Sequence, residues 1–210
     1  MLAVGVFIAG YASFLCPLNP TPLPIRIAIW IWLIAALFVG NSTLLQRLPM
    51  PAMQGILLGL TAVCLALYFK VQGLRAWVDR LDLRALVLLH ITRLVGFYFL
   101  ILYRRGELPY AFAVPGGWGD IIVASLALFV CFLPMQESSR RLAITIWNVI
   151  GFVDIAMVVI TAGRLGLQNG LQMRALTDLP LSLLPTFLVP VIITTHIIIF
   201  FRLRRDGVSS

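Results

Sequence analysis

Residues 142–163 read LAITIWNVIGFVDIAMVVITAG, an apolar run in which Asp154 is the one ionisable side chain. A run of this length matches the ~20 residues that a helix needs to cross the hydrocarbon of a bilayer. Inside lipid every backbone N–H and C=O must find a partner within the protein, so such a run spans as a helix. Similar runs recur along the chain, separated by short segments rich in proline, glycine and arginine.

Composition supports the same reading. Of the 210 residues, 61% are hydrophobic and 11% charged, with a mean hydropathy of +1.02. A soluble domain averages about 45–50% apolar and about 25% charged residues. The length divides into about seven spans with loops, expected near 2–16, 26–45, 52–70, 84–103, 120–136, 142–163 and 181–203. The fold class is therefore an all-α integral membrane bundle, a single transmembrane helical domain over residues 1–210. PLNPTPLP (17–24) is too proline-rich for a helix. VQGLRAWVDRLDLR (71–84) alternates charge with leucine and tryptophan, as an interfacial amphipathic stretch does.

The net charge of +8 comes from fifteen arginines and one lysine against eight acids. The basic residues lie in short connections with no nucleic-acid motif, so the partner is the lipid bilayer and nucleic acid is excluded. With seven spans, Arg47, Arg104, Arg105, Arg164 and Arg174 share the N-terminal side. Arg26, Lys70, Arg75, Arg80, Arg84, Arg140, Arg141, Arg202, Arg204 and Arg205 share the other. The positive-inside rule then places the N-terminus outside and the C-terminus in the cytoplasm. Cys16, Cys64 and Cys131 have no CxxC spacing and read as small packing residues.

Charged and polar side chains are costly in hydrocarbon, so those that occur there mark structure or function. Five stand out: His90 and Arg93, Asn148 and Asp154, and His196. Counting about 1.5 Å per residue from the cytoplasmic end of each span, His90, Asn148 and His196 fall at one depth. Arg93 and Asp154 lie a few residues further in. His90 and Arg93 are three apart and project from one helix face. Gly151 lets a neighbouring helix approach closely. Pro190 cannot donate to the carbonyl of Thr186, which then needs another partner, and a kink there beside Thr194, Thr195 and His196 is expected to make a local polar pocket.

Several readings follow. Arg93 pairs with Asp154 while the histidines and Asn148 hydrogen-bond across helices. As a site, the cluster binds, or also translocates, a small polar ligand or a proton, since histidine titrates near neutral pH. Alternatively His90 and His196 ligate a haem b from two helices, with Gly96 and Gly151 making room for the ring, in an electron-transfer protein. A third possibility is metal-assisted or acid–base chemistry on a lipid, although Asp154 lies above the histidine layer. No HExxH, GxSxG or P-loop pattern is present, and whether the chain is an enzyme stays open. A last alternative is a structural or accessory subunit of a membrane complex.

The connections 104–119 and 164–180 are expected to face outside. In GELPYAFAVPGGWGDII (106–122), two prolines and the Gly-Gly-Trp-Gly run predict a non-helical loop. Asp120 then caps the following helix and Trp118 anchors it at the interface. In TDLPLSLLP (177–185), Thr177 or Asp178 caps and Pro180 sits in the first turn. Glu107, Trp118, Asp120 and Asp178 are the candidates for an outward-facing mouth.

Together, GELPYAFAVPGGWGDII, WNVIGFVD (147–154) and LPTFLVPVIITTH (184–196) resemble a set of small bacterial integral membrane proteins of unassigned function. Those proteins carry a Gly-Trp-Gly-Asp segment, a Trp-Asn…Gly…Asp helix and a final Pro…Pro…His helix. The resemblance covers about residues 85–205. It implies a bacterial inner-membrane protein and supplies no activity, substrate or cofactor.

Overall fold

The computed structural model describes residues 21–208, and among them every regular element is helical. Nine α-helices follow in order: α1 (Leu23–Asn41), α2 (Leu44–Arg47), α3 (Met50–Lys70), α4 (Gln72–Arg80), α5 (Leu83–Leu88), α6 (Gly96–Arg104), α7 (Tyr110–Phe132), α8 (Glu137–Gln168) and α9 (Val189–Val208). A 3-10 segment, Leu89–Val95, joins α5 to α6 without a break, and another covers Gly170–Thr177. A π-helical turn, Leu184–Leu188, leads into α9.

Among the described residues, six helices are long and apolar enough to cross a membrane: Leu23–Asn41, Pro51–Lys70, Leu83–Arg104, Tyr110–Phe132, Glu137–Gln168 and Leu184–Arg205. Each overlaps one of the predicted spans after the first, and the helix expected at 120–136 starts ten residues earlier, at Tyr110. The span expected at 2–16 lies outside the described residues. Large apolar side chains stand on outer faces, with Phe38 77%, Phe132 71% and Ile160 63% exposed. Apolar surface on that scale is what a lipid-facing protein presents.

The described chain divides into two compact units. One comprises the residues up to Asp82 with Gly166–Val191, the other Leu83–Leu165 with Ile192 onward. In the first, Pro24 opens α1 and Pro51 opens α3, since a first-turn proline loses no helical hydrogen bond. The Tyr68 hydroxyl donates to Asp79 Oδ1 at 2.8 Å, tying α4 to the end of α3. The π-helical turn packs on α1 and α3. There the Trp32 indole N–H donates to the Thr186 carbonyl at 2.9 Å, with its ring against Phe187. This is the partner that Pro190 makes necessary, because Thr186 loses its usual i+4 donor.

In the second unit the sequence expectation needs correcting at 104–119. The connection is a tight turn. Gly106, at φ +73°, follows α6, with its N–H on Tyr103 O and the Glu107 N–H on Leu102 O. This is a glycine-closed helix end. Pro109 then precedes α7, which runs straight through Pro115 and the Gly-Gly-Trp-Gly run. In water those residues break helices. In an apolar setting the helix continues because its other backbone bonds have no aqueous competitor.

The buried face of α7 explains what the glycines are for. Ala113, Gly117, Asp120, Ala124, Ala127 and Cys131 lie three or four apart and are all buried. Small residues at this spacing let helices approach backbone to backbone. A Cβ on Gly96 would collide with the carbonyl oxygen of Gly117, and one on Gly117 would lie 2.8 Å from that of Gly96. At the other end of α7, Arg140 donates from Nη1 to Val130 O and Cys131 O and from Nη2 to Leu133 O and Met135 O. These bonds occupy carbonyls left free at the helix end.

Candidate functional site

The polar cluster lies within the second unit. His90, Thr92 and Arg93 are buried on the 3-10 segment. Its tighter winding sits where a spanning helix would ordinarily run unbroken, a feature that often marks a functional or strained position. Three neighbours receive the Arg93 guanidinium. Its Nε donates to Asp120 Oδ1 at 2.6 Å, its Nη1 to the Gly151 carbonyl at 3.0 Å, and its Nη2 to Asp154 Oδ2. The Arg93 side chain is 0% exposed, that of Asp120 5% and that of Asp154 20%. Asp154 is therefore the arm of the triad nearest the surface. A Cβ on Gly119 would collide with Asp154 Oδ1, so that glycine makes space for the carboxylate.

The second layer contains His90, Asn148, Thr195 and His196. Asn148 Nδ2 donates to the His196 backbone carbonyl at 3.0 Å, and Asn148 Oδ1 lies 2.7 Å from His196 Nδ1. The amide oxygen can only accept, so His196 carries its proton on Nδ1. The Thr195 hydroxyl donates to Ile192 O at 2.9 Å and lies 3.1 Å from His90 Nε2. When the hydroxyl hydrogen points to that carbonyl, the Thr195 oxygen accepts from His90 Nε2. The remaining nitrogens, His90 Nδ1 and His196 Nε2, are buried and find no hydrogen-bond partner among the described residues. With the hydrogens so placed, both are bare lone pairs in the neutral rings.

The rings are in contact. The centroids of His90 and His196 are 4.2 Å apart, and the Trp147 ring stands 4.9 Å from His90 and 5.4 Å from His196. Trp147 is fixed by its own indole N–H on Val123 O at 3.0 Å. Gly151 connects the layers. Its carbonyl accepts from Arg93, and a Cβ on it would lie 2.6 Å from His196 Cε1.

The structure thus brings together His90, Arg93, Asn148, Asp154 and His196, and the expected Arg93–Asp154 contact is present. It corrects Asp120. This residue is not an N-cap at a helix start but lies mid-helix on the buried stripe of α7, where it binds Arg93. The legible signal was the small-residue spacing from Ala113 onward, which puts Asp120 on the packed face. Glu107 is exposed in the turn after α6, and Trp118 is 53% exposed on the far side of α7. Asp178 belongs to the first unit, where its Oδ1 accepts from Gln46 Nε2 at 2.6 Å. Among the described residues Asp178 makes no side-chain cap. Thr177 instead donates to Arg174 O at 2.7 Å.

A family model described as a domain of unknown function, DUF8737, matches residues 50–204. The chain belongs to the DUF8737 family. The DUF8737 match contains every residue of the cluster, from His90 to His196, and leaves α1 and Trp32 outside. Its description assigns no chemistry. No curated protein and no solved structure matches the chain.

The cluster's geometry bears on cofactors. Axial histidines face each other across a metal and its macrocycle. Here the two rings touch, and the glycines expected to make room are filled, Gly96 by Gly117 and Gly151 by His196 itself. The residues as arranged do not fit a bis-histidine haem. Among the described residues, no group of three or more His, Cys, Asp or Glu is placed to hold a metal ion.

Proposed function

We propose that this protein binds a small polar ligand or a proton at the Arg93–His196 cluster, with translocation of that ligand as the extension of the same reading. The setting is a bacterial inner membrane, with the N-terminus outside and the C-terminus cytoplasmic. The observation that carries this reading is the pair of buried ring nitrogens, His90 Nδ1 and His196 Nε2, that lack partners among the described residues. A buried polar atom without a partner costs about 1–3 kcal/mol. Structural cement satisfies its polar groups; a site leaves capacity for something that comes and goes. The triad and Asn148 satisfy the cement reading, and the two nitrogens do not.

The test uses the detergent-purified full chain, screened by thermal shift across pH and against a panel of small amines, carboxylates and inorganic ions. Some member of the panel, or pH itself, is expected to shift the midpoint of the wild type. The Asp154→Asn variant, inserted and monodisperse, is expected to lose that response. A wild type indifferent to every condition, or a variant that responds identically, refutes the proposal.

A further inference from the structure

We infer that the ligand of this cluster is the proton itself, taken up through Asp154 and held by the adjoining His90–His196 pair. The inference rests on the binding function proposed above and names its substrate. Three features of the cluster lead to it.

The first is the chemical sense of what remains unsatisfied. Arg93 suggests an anion site, but its Nε, Nη1 and Nη2 are each engaged, by Asp120, Gly151 and Asp154. The unpartnered atoms are His90 Nδ1 and His196 Nε2, and the hydrogen bonds made by the other nitrogen of each ring leave both of them lone pairs. A site whose free capacity is two lone pairs takes a donor or a proton, not an anion.

The second is charge. The charged groups joined to the cluster are Arg93 on the 3-10 segment, Asp120 on α7 and Asp154 on α8; α9 contributes His196 and α8 also the neutral Asn148, while Glu137, Arg140, Arg141 and Arg164 of α8 and Arg202, Arg204 and Arg205 of α9 lie toward the ends of those helices. One guanidinium stands against two carboxylates. With both carboxylates ionised and both rings neutral the cluster carries a formal charge of −1, and one added proton brings it to zero. Isolated charge in a low-dielectric interior is costly.

The third is space. The rings are 4.2 Å apart, and even the position of a Cβ on Gly151 lies 2.6 Å from His196 Cε1 and 3.0 Å from Val123 Cγ1. Where a methyl group does not fit, a proton still does. Of the two carboxylates Asp154 has the more exposed side chain, 20% against 5%, and the Gly151 carbonyl, beside the His196 ring, shares the Arg93 guanidinium with it. A hydronium ion gives its proton to the Asp154 carboxylate and leaves as water; the Asp154 O–H bond then breaks as the proton adds to one ring lone pair, which forms an imidazolium and restores the carboxylate.

The chain contains two histidines, so full-length protein made with histidine 15N-labelled in its ring shows the nitrogens of two rings. At high pH, His90 is expected as the Nε2–H tautomer and His196 as the Nδ1–H tautomer. Acidification while the protein stays folded is expected to convert one ring reversibly to imidazolium. In liposomes containing a pH-sensitive dye, an imposed potential is expected to drive proton flux, which Asp154→Asn loses and Asp154→Glu retains. Two rings that stay neutral at every pH where the fold persists overturn the inference, and so does flux unchanged in Asp154→Asn. A methylammonium or acetate addition that shifts the ring nitrogens of such a pH-indifferent protein leaves the binding function standing and removes the proton. The absence of both responses removes both.

Discussion

Asp120 distinguishes two physical accounts of the Gly-Trp-Gly-Asp segment, and their magnitudes differ enough to be measured. If Asp120 capped a helix start, replacing it with alanine would cost typically ~1 kcal/mol, and asparagine, an equally good cap, would cost nothing. In the structure its Oδ1 accepts from Arg93 Nε at 2.6 Å with both side chains almost wholly buried. Breaking a buried charge pair by removing one partner costs about 3–5 kcal/mol. Asp154 still holds Arg93 Nη2 in the variant, which places the loss for Asp120→Ala near the lower end, about 3 kcal/mol. Asp120→Asn keeps an acceptor but loses its charge and is expected to cost about 1.5–3 kcal/mol, the worth of a charged hydrogen bond. The assay is equilibrium unfolding of the purified protein in mixed micelles, followed by tryptophan fluorescence. A double-mutant cycle with Arg93→Met is expected to show coupling above about 1 kcal/mol. An Asp120→Ala cost of about 1 kcal/mol, with Asp120→Asn neutral and no coupling to Arg93, refutes the reasoning and restores the cap.

Three further outcomes are expected. Gly151→Ala puts a methyl group onto the His196 ring and should cost about 1–3 kcal/mol in the same unfolding assay, while shifting the His196 ring resonances; unchanged spectra contradict the close packing. Trp32→Phe keeps a ring against Phe187 but leaves the Thr186 carbonyl without its indole donor, a loss of about 1–3 kcal/mol; a variant as stable as the wild type contradicts that bond. Arg140→Leu releases the carbonyls at the end of α7 and should cost about 1–2 kcal/mol, read as faster amide exchange in residues 130–133; unchanged exchange there refutes the capping role.

How much was legible from the chain depends on the range of the interaction concerned. Span positions after residue 21, apart from the start of α7, follow from apolar length, because hydrocarbon thickness and helical rise fix that length without reference to any neighbour. Depth along each helix is equally local, so the shared level of His90, Asn148 and His196 and the meeting of Arg93 with Asp154 could be anticipated. The need of Thr186 for a partner was readable from Pro190, but Trp32, 154 residues away in sequence, was not.

Asp120 was misplaced because Pro115 and three nearby glycines carry their aqueous meaning as loop residues. Only helix packing, with Gly117 against Gly96, turns them into the small face that carries Asp120 inward. The histidine protonation pattern belongs wholly to the tertiary structure as well. It is set by which oxygen each ring meets, Thr195 Oγ1 for His90 and Asn148 Oδ1 for His196. Hydropathy and rise act along one helix, and so the sequence alone determined the spans and the polar layers. Hydrogen bonds between helices depend on rotation and approach within a few tenths of an ångström, and those only the folded structure decided.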